Sequence, residues 1–390
     1  DLTAQRDIII TAGTAVHAGE VSLKTTASAN FNTIDAGGRI IMTGLNDVSI
    51  DSALGRANPT LGMVKLASTS GTLTLEHNAG WIETGSQIVL SGKTVDLAGV
   101  IRSNGATPAT YDFEVDVTAT RDVLLHADVS LAGSMRVVAG GNLAVYGSPI
   151  SADQAGQSLV FSAAGDVYIG SFGSHAGGAV LEAHRLLDIK AGGVLRMASD
   201  SQLYSIADGS LIRLDGGRLD LQGSVRAGAD YNRVTSGWAS SGTDTSISLR
   251  SAQDTVIGTQ LMAGAKIQII AGSDAEGNSI LMTTGSGVTV TGAAGQVTML
   301  ADGDLVMQRN TSISATGLGA DVELQARSQV VVSGRVLADD QVRVLGGSDA
   351  ATRIGVLIDT LVPDGNGGHG SGGILDPHGG GSGSIPPRQW

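Results

Sequence analysis

A chain of 390 residues with 57 glycines, 7 prolines and no cysteine cannot be a collagen, a disulfide scaffold, a thiol enzyme or a Cys-based zinc protein. Its net charge of −13 is spread over a sequence that is 42% hydrophobic, which excludes wholesale disorder. The 24 Lys and Arg residues form no basic block, so nucleic acid finds no electrostatic footprint, and no apolar run approaches the ~18 residues that a membrane helix needs.

The chain opens at Asp1 without a Met or a signal-peptide pattern, and is expected to be a processed product or a piece of something longer. From the start it carries one recurring pattern, an Asp or Asn followed by alternating aliphatics. The pattern occurs at Asp7-Ile8-Ile9-Ile10, Asp47-Val48-Ser49-Ile50, Asp122-Val123-Leu124-Leu125, Asn142-Leu143-Ala144-Val145, Asp166-Val167-Tyr168-Ile169 and Asp304-Leu305-Val306-Met307. Leu187-Asp188-Ile189 is a weaker copy. Gly pairs at Gly37-Gly38, Gly140-Gly141, Gly192-Gly193 and Gly216-Gly217 each precede a short run of the same kind.

Asp122, Asn142, Asp166 and Asp188 lie 20, 24 and 22 residues apart, and Asp7 and Asp47 lie 40 apart, twice 20. A coil of about 20 residues with two or three strands of period two is the signature of a parallel β-solenoid. Aliphatics point in, while Ser, Thr, Asp and Gln point out. Gly and Asn hold the corners, where tight turns and positive φ are needed. Residues 1–362 are therefore expected to form an all-β rod, a single elongated parallel β-helix of about eighteen coils and on the order of 85 Å.

Two stretches break the rhythm as expected loop insertions. The first is 102–118, with Tyr111 and Phe113 as contact candidates. In it Asp112, Glu114 and Asp116 alternate with apolar residues, so an extended strand would project all three carboxylates from one face. A solvated face is the simplest role for them, with a calcium site or an acid–base pair as the chemical alternatives. Residues 179–190, with Leu181, Leu186 and Leu187, read as two strands about a turn rather than a helix. The second insertion, 229–245, places Tyr231, Arg233 and Trp238 among Ser, Gly and Thr, a combination that makes contact anchors. Trp81 is expected to pack at a corner. The last segment, 363–390, is a Gly/Pro-rich linker or tail in which Pro386, Pro387 and Trp390 are candidates for self-assembly contacts.

The sequence 165–169 (Gly-Asp-Val-Tyr-Ile), the Ala191-Gly192-Gly193 turn and the run 187–192 resemble the repeats of filamentous-haemagglutinin-like exoproteins, which are large bacterial surface adhesins. The resemblance is one of repeat style over roughly residues 1–360. It implies a right-handed β-helix, export across the outer membrane and an extracellular or cell-surface fibre with adhesive sites. The Asn-Pro-Asn secretion motif of the family is absent; Asn58-Pro59-Thr60 does not match it.

Motifs for chemistry are sparse. Gly92-Lys93-Thr94 ends like a phosphate-binding loop, but Gln87 stands where the first Gly is required and Ile88-Val89-Leu90 reads as a strand. The Gly365–Gly370 run matches a dinucleotide fingerprint only in letters, being part of the Gly-Ser tail. The seven histidines have no ligand-like spacing. No cofactor or metal is expected. The expected function is non-catalytic: a structural and adhesive segment of a bacterial surface or secreted fibre, with contacts to other copies of itself, the rest of a longer fibre, polysaccharide or host-surface glycans. One alternative is a homopolymeric filament whose tail docks on the next subunit. The other is a carbohydrate-active β-helix enzyme, which a Lys or Arg close to the 112–116 carboxylates in a groove would favour.

Overall fold

A computed structural model of the chain describes residues 39–44, 47–50, 53–54, 63–77, 80–103, 113–228, 244–272 and 278–347. It also describes the backbone of the strands Leu2–Ala4, Ile8–Thr11, Val21–Leu23, Thr33–Ala36 and Val356–Leu361. The described residues hold strands and turns and no helix. Each coil contributes three short strands, and each strand pairs in parallel with its equivalents in the coils before and after. The coil Met135–Ala139, Leu143–Val145, Pro149–Ala152 is followed by Ser158–Ala163, Val167–Ile169, Val180–Ala183. Met135 registers with Leu159, Leu143 with Val167 and Pro149 with Val180. Three parallel ladders result, and the fold is a parallel β-helix.

The chain divides into two compact units, Asp1–Ile206 and Ala207–Trp390. The first ladder has eight strands in the first unit, from Ile8–Thr11 to Leu186–Ala191, and six in the second, from Leu211–Gly216 to Gln341–Gly346. In the second unit the nine-residue strand Val330–Ala338 serves two ladders: Val330–Val332 pairs in the second and Arg335–Ala338 in the third. Among the described residues the step between registered positions is 19 residues from Trp81 to Val100 and 28 from Ser158 to Leu186, and many coils are longer than 20.

The alternation of the sequence becomes the alternation of burial. Leu90, Val117, Val137, Phe161 and Ile189 occupy one register position in successive coils and are at most 1% exposed. Each such side chain removed from water contributes about 1.5–3 kcal/mol. The core is a file of stacked aliphatics in each unit.

The recurring Asp and Asn residues turn out to be the corner fasteners of the first unit. Asp122 Oδ1 accepts the Asn142 N–H at 2.8 Å, Asn142 Oδ1 accepts the Asp166 N–H at 2.9 Å, and Asp166 Oδ1 accepts the Val194 N–H at 2.7 Å. These oxygens lie so close to the next coil that no Cβ fits above them. A Cβ on Gly165 would meet Asn142 Oδ1 at 2.4 Å, and one on Gly193 would meet Asp166 Oδ1 at 2.2 Å. The first glycine of the Gly192-Gly193 pair is equally constrained, with the Ala164 carbonyl oxygen 2.1 Å from its would-be Cβ. The Gly-Gly and Gly-Asp dipeptides are thus one device read twice.

Three expectations are corrected by the register. Leu187-Asp188-Ile189 belongs to the first ladder, opposite Leu159-Val160-Phe161, so Asp188 is not the successor of Asp166. That successor position is Val194, 28 residues on. Ile8–Thr11 is likewise a first-ladder strand pairing with Arg39–Gly44, while the strand after Asp47 lies in the second ladder, so the 40-residue interval does not measure two coils. An acidic residue beside alternating aliphatics does not identify the ladder: Asp47 precedes a second-ladder strand, and Asp188 lies inside the first-ladder strand Leu186–Ala191. Trp81 is not a corner residue: it opens the outer row of Trp81–Thr84, where Nε1 donates to Glu83 Oε2 at 3.1 Å and the Arg102 guanidinium lies 4.7 Å from the ring centroid.

Residues 179–190 form the expected two strands, Val180–Ala183 and Leu186–Ala191. The expected insertions at 102–118 and 229–245 lie largely outside the described residues, and within them 102–103 and 115–118 are strand residues. An irregular stretch among the described residues, 170–179, separates Val167–Ile169 from Val180–Ala183.

Candidate functional site: a file of rings on the outer face

The outward positions of the second ladder and the turn after it carry an unusual concentration of rings for a chain with 3% aromatics. Hydrogen bonds between coils fix the placement. His126 follows Val123–Leu125 and Tyr146 follows Leu143–Val145, and their amides bond to Leu97 O and Leu125 O at 2.9 and 3.1 Å. The two rings therefore sit one above the other, stacked with centroids 4.8 Å apart and planes within 9°. In the next coil the equivalent position is Gly170, with no side chain to continue the stack. A short loop does so instead.

That loop leaves the coil at Gly170, where φ is +94°, and returns at Gly177, where φ is +111°. Phe172 and His175 exchange backbone hydrogen bonds of 2.9 Å across it, an antiparallel bridge that turns both rings back over the ladder. His175 packs 4.5 Å from Tyr146, Phe172 lies 4.9 Å from His175, and Tyr168 stacks on Phe172 at 4.6 Å within 9°. His126, Tyr146, His175, Phe172 and Tyr168 thus form a continuous file of five rings. Each aromatic pair of this kind adds about 0.5–1.5 kcal/mol beyond simple burial.

Polar groups lock both ends. Asp96 Oδ1 lies 2.9 Å from His126 Nε2; a carboxylate only accepts, so Nε2 carries the proton. The Tyr168 hydroxyl donates to Asp166 Oδ2 at 2.9 Å, so one carboxylate fastens both the next coil and the ring file. The loop base is held by Asp200, which accepts the Ser171 hydroxyl at 2.5 Å, while Ser171 Oγ accepts the Gly177 N–H at 2.9 Å.

The titration shifts follow from these contacts. Burial, then the Asp96 charge, raises the Tyr146 pKa. The hydrogen bond to Asp166 raises that of Tyr168, ahead of burial and of the Asp166 charge, with Arg196 opposing. The Ser171 hydroxyl holds the Asp200 carboxyl below the ordinary aspartate range. The rings spend most of their faces on one another, and Tyr146, between His126 and His175, is only 9% exposed.

The sequence-predicted residues fare unevenly. Tyr111, Asp112, Tyr231, Arg233, Trp238, Pro386, Pro387 and Trp390 lie outside the described residues. Phe113, Glu114 and Asp116 lie within them, and the last two do not share a face. The strand begins only at Val115, and Glu114 sits in the bend before it, 9% exposed. Its Oε2 accepts the Ser103 hydroxyl at 2.6 Å, and Ser103 Oγ in turn accepts the Ala132 N–H at 2.9 Å. Burial pushes the Glu114 pKa up, opposed by the Ser103 and Gly133 hydrogen bonds. Asp116 points outward and is gripped by both arms of the Arg136 guanidinium, with Nε at 3.1 Å from Oδ1, and that guanidinium also covers the Phe113 ring at 5.2 Å. Among the described residues no three His, Asp or Glu side chains converge as metal ligands.

The ring file was missed in sequence because its members come from three coils. The usable signal was the 20-residue step from His126 to Tyr146 and the aromatic, glycine-rich run 170–178. Comparison with known proteins gives no support in either direction: no family model, no curated protein and no solved structure matches this chain.

Proposed function

We propose that this chain is a non-catalytic structural and adhesive segment of a bacterial surface or secreted fibre, a stiff β-helical rod that displays contact loops. The single observation that carries the reading is the 170–178 loop. It is fastened at its base by Asp200 and tied across by the Phe172–His175 bridge, and it holds a file of rings on the outside of the coil. Ordering such a loop costs conformational entropy, and a preorganised aromatic surface recovers affinity when a partner covers it. The coil supplies rigidity, since strands inside each ladder, such as Met135–Ala139, are bonded on both sides along the stack. The repeat style resembling haemagglutinin-like exoproteins agrees with an extracellular setting.

Beads coated with the purified chain should adhere to polysaccharide- or glycan-coated surfaces. The Phe172→Ala/His175→Ala double variant should lose most of that adhesion while its far-UV circular dichroism is unchanged. Undiminished adhesion by this variant, together with loss in a Tyr231→Ala/Trp238→Ala variant, would move the contact to the second predicted loop. Absence of adhesion by every form would overturn the reading.

A carbohydrate-active enzyme is the second reading, favoured by the Arg136 guanidinium beside Asp116 and by Glu114 with its raised pKa. Against it, Glu114 faces Ser103 and Gly133 rather than Asp116. Release of reducing or unsaturated ends from acidic polysaccharides, abolished by Glu114→Gln, would establish it.

A further inference from the structure

In the second unit the second ladder begins with Arg218–Leu221, whose outward Asp220 is in register with Val256, and the next four strands are apolar on both faces. Thr255–Ile257, Ile280–Met282, Leu305–Met307 and Val330–Val332 bury their first and third residues and turn the middle one outward. The outward residues are Val256, Leu281, Val306 and Val331, in register across four successive coils. At ~4.8 Å per coil this is a straight aliphatic stripe about 14 Å long. The same row in the first unit reads Ser49, Thr74, Asp96, Leu124, Ala144, Tyr168, Arg196, mixed and largely polar. Strands with no polar face are the mark of a sheet covered on both sides.

The edges of the stripe are polar and differently charged. Before each strand stand Asp254, Ser279, Asp304 and Gln329. Three hydrogen bonds link these in series, including Asp254 Oδ1 accepting the Ser279 N–H at 2.8 Å and Asp304 Oδ2 accepting from Gln329 Nε2 at 3.4 Å. After the strands come Gly258, Thr283 and Gln308, and then the exposed Arg309. One rim is therefore acidic and the other carries a cation.

We infer that this stripe is a lateral docking face for a second copy of the chain, lying alongside with its coils stacked in the same direction. Two features of the surface select that occupant. A row of aliphatics spaced by the coil rise interdigitates along its length only with a row of the same period, which another coil stack provides and an α-helix, with its 5.4 Å pitch, does not. Charge sets the direction. A two-fold axis along the stack lays the Asp254 and Asp304 rim of one copy against the Arg309 rim of the other. The opposite orientation would lay acidic rim against acidic rim, in a chain that already carries a charge of −13. A stripe one side chain wide is small for an interface, so the pair is expected to be weak and to populate as the concentration rises from about 1 to 100 µM.

Sedimentation of the full chain over that range tests the inference. A monomer–dimer equilibrium is expected, and it should be shifted at least tenfold toward monomer by Leu281→Lys/Val306→Lys but not by Ser314→Lys on the outer row of the third ladder. Because the chain has no cysteine, Leu281→Cys and Val306→Cys each introduce a unique thiol on a milder background. In the same-direction pair each of these variants should form a disulfide-linked dimer on its own. A monomer throughout the range overturns the inference, as does a dimer indifferent to the double lysine variant. Efficient cross-linking only between Leu281→Cys and Val306→Cys mixed together would overturn the orientation. Dimerisation that appears only when residues 362–390 are removed would assign the stripe to the chain's own end and overturn the second-copy assignment.

Discussion

At the scale of single residues, the corner is where this sequence is least tolerant. A backbone carbonyl cannot step aside as a flexible side chain can, so Gly192→Ala, with the Ala164 oxygen 2.1 Å from the new Cβ, must displace one coil against the next. A loss of about 1–3 kcal/mol is expected, measured as a lower urea midpoint. Asp166→Asn keeps the Oδ1 acceptor that holds Val194 and replaces only the Oδ2 acceptor of the Tyr168 hydroxyl, so it should lower the midpoint less than Gly192→Ala. Equal losses from both would mean that the Asp166 carboxylate matters at this corner as much as the close approach at Gly192. Gly156 gives a different lesson: nothing lies within 4 Å of a Cβ there, and the constraint is its φ of +84°.

At the scale of elements, the 170–178 loop is held by a titratable pin. The Asp200 carboxyl titrates below its ordinary value because the charged form accepts the Ser171 hydroxyl. A depressed folded-state pKa stabilises the loop above the ordinary aspartate pKa of 3.8, and that contribution fades as pH falls through the lower folded value. Amide protection at Ser171 and Gly177 should therefore weaken in acid in the native chain. In Asp200→Asn it should already be weak at neutral pH and respond little to acid. Hydrogen exchange followed by mass spectrometry reads both, and protection at Gly177 untouched by the substitution would show that the Phe172–His175 bridge alone holds the loop. Glu114 works in the opposite sense. Its raised pKa means that the buried carboxyl weakens the fold as pH rises from 4.5 through the folded value, which suits a structural residue tucked beneath Gly133 rather than a solvated one.

At the scale of the whole molecule, stability is carried by neighbouring coils, so the coil is the unit of insertion and deletion. Removing residues 297–321 joins Gln296 to Val322 and preserves every register, because Val297 and Val322 occupy the same position. That deletion should fold, with an unfolding midpoint within a few degrees of the parent. Removing only 297–309 brings the next strand into the wrong ladder and turns its apolar face outward; thermal melts should show no cooperative transition. Similar melts for both would contradict a register-locked stack.

The sequence by itself determined the class of fold, because alternation is local: an inward aliphatic such as Val137 or Ile189 declares itself from its immediate neighbours. It also placed the Gly and Asp corners, since a tight turn needs those residues wherever it occurs. Which corners align was decided only in three dimensions. The loops between strands vary, so consecutive fasteners are separated by 20, 24 and then 28 residues, and an Asp at a strand start gives no sign of its ladder. The ring file and the aliphatic stripe are outward features assembled across coils, from His126 to Tyr168 and from Val256 to Val331. Their members become neighbours only when register is fixed, and register is a property of the stacked chain rather than of any segment of it.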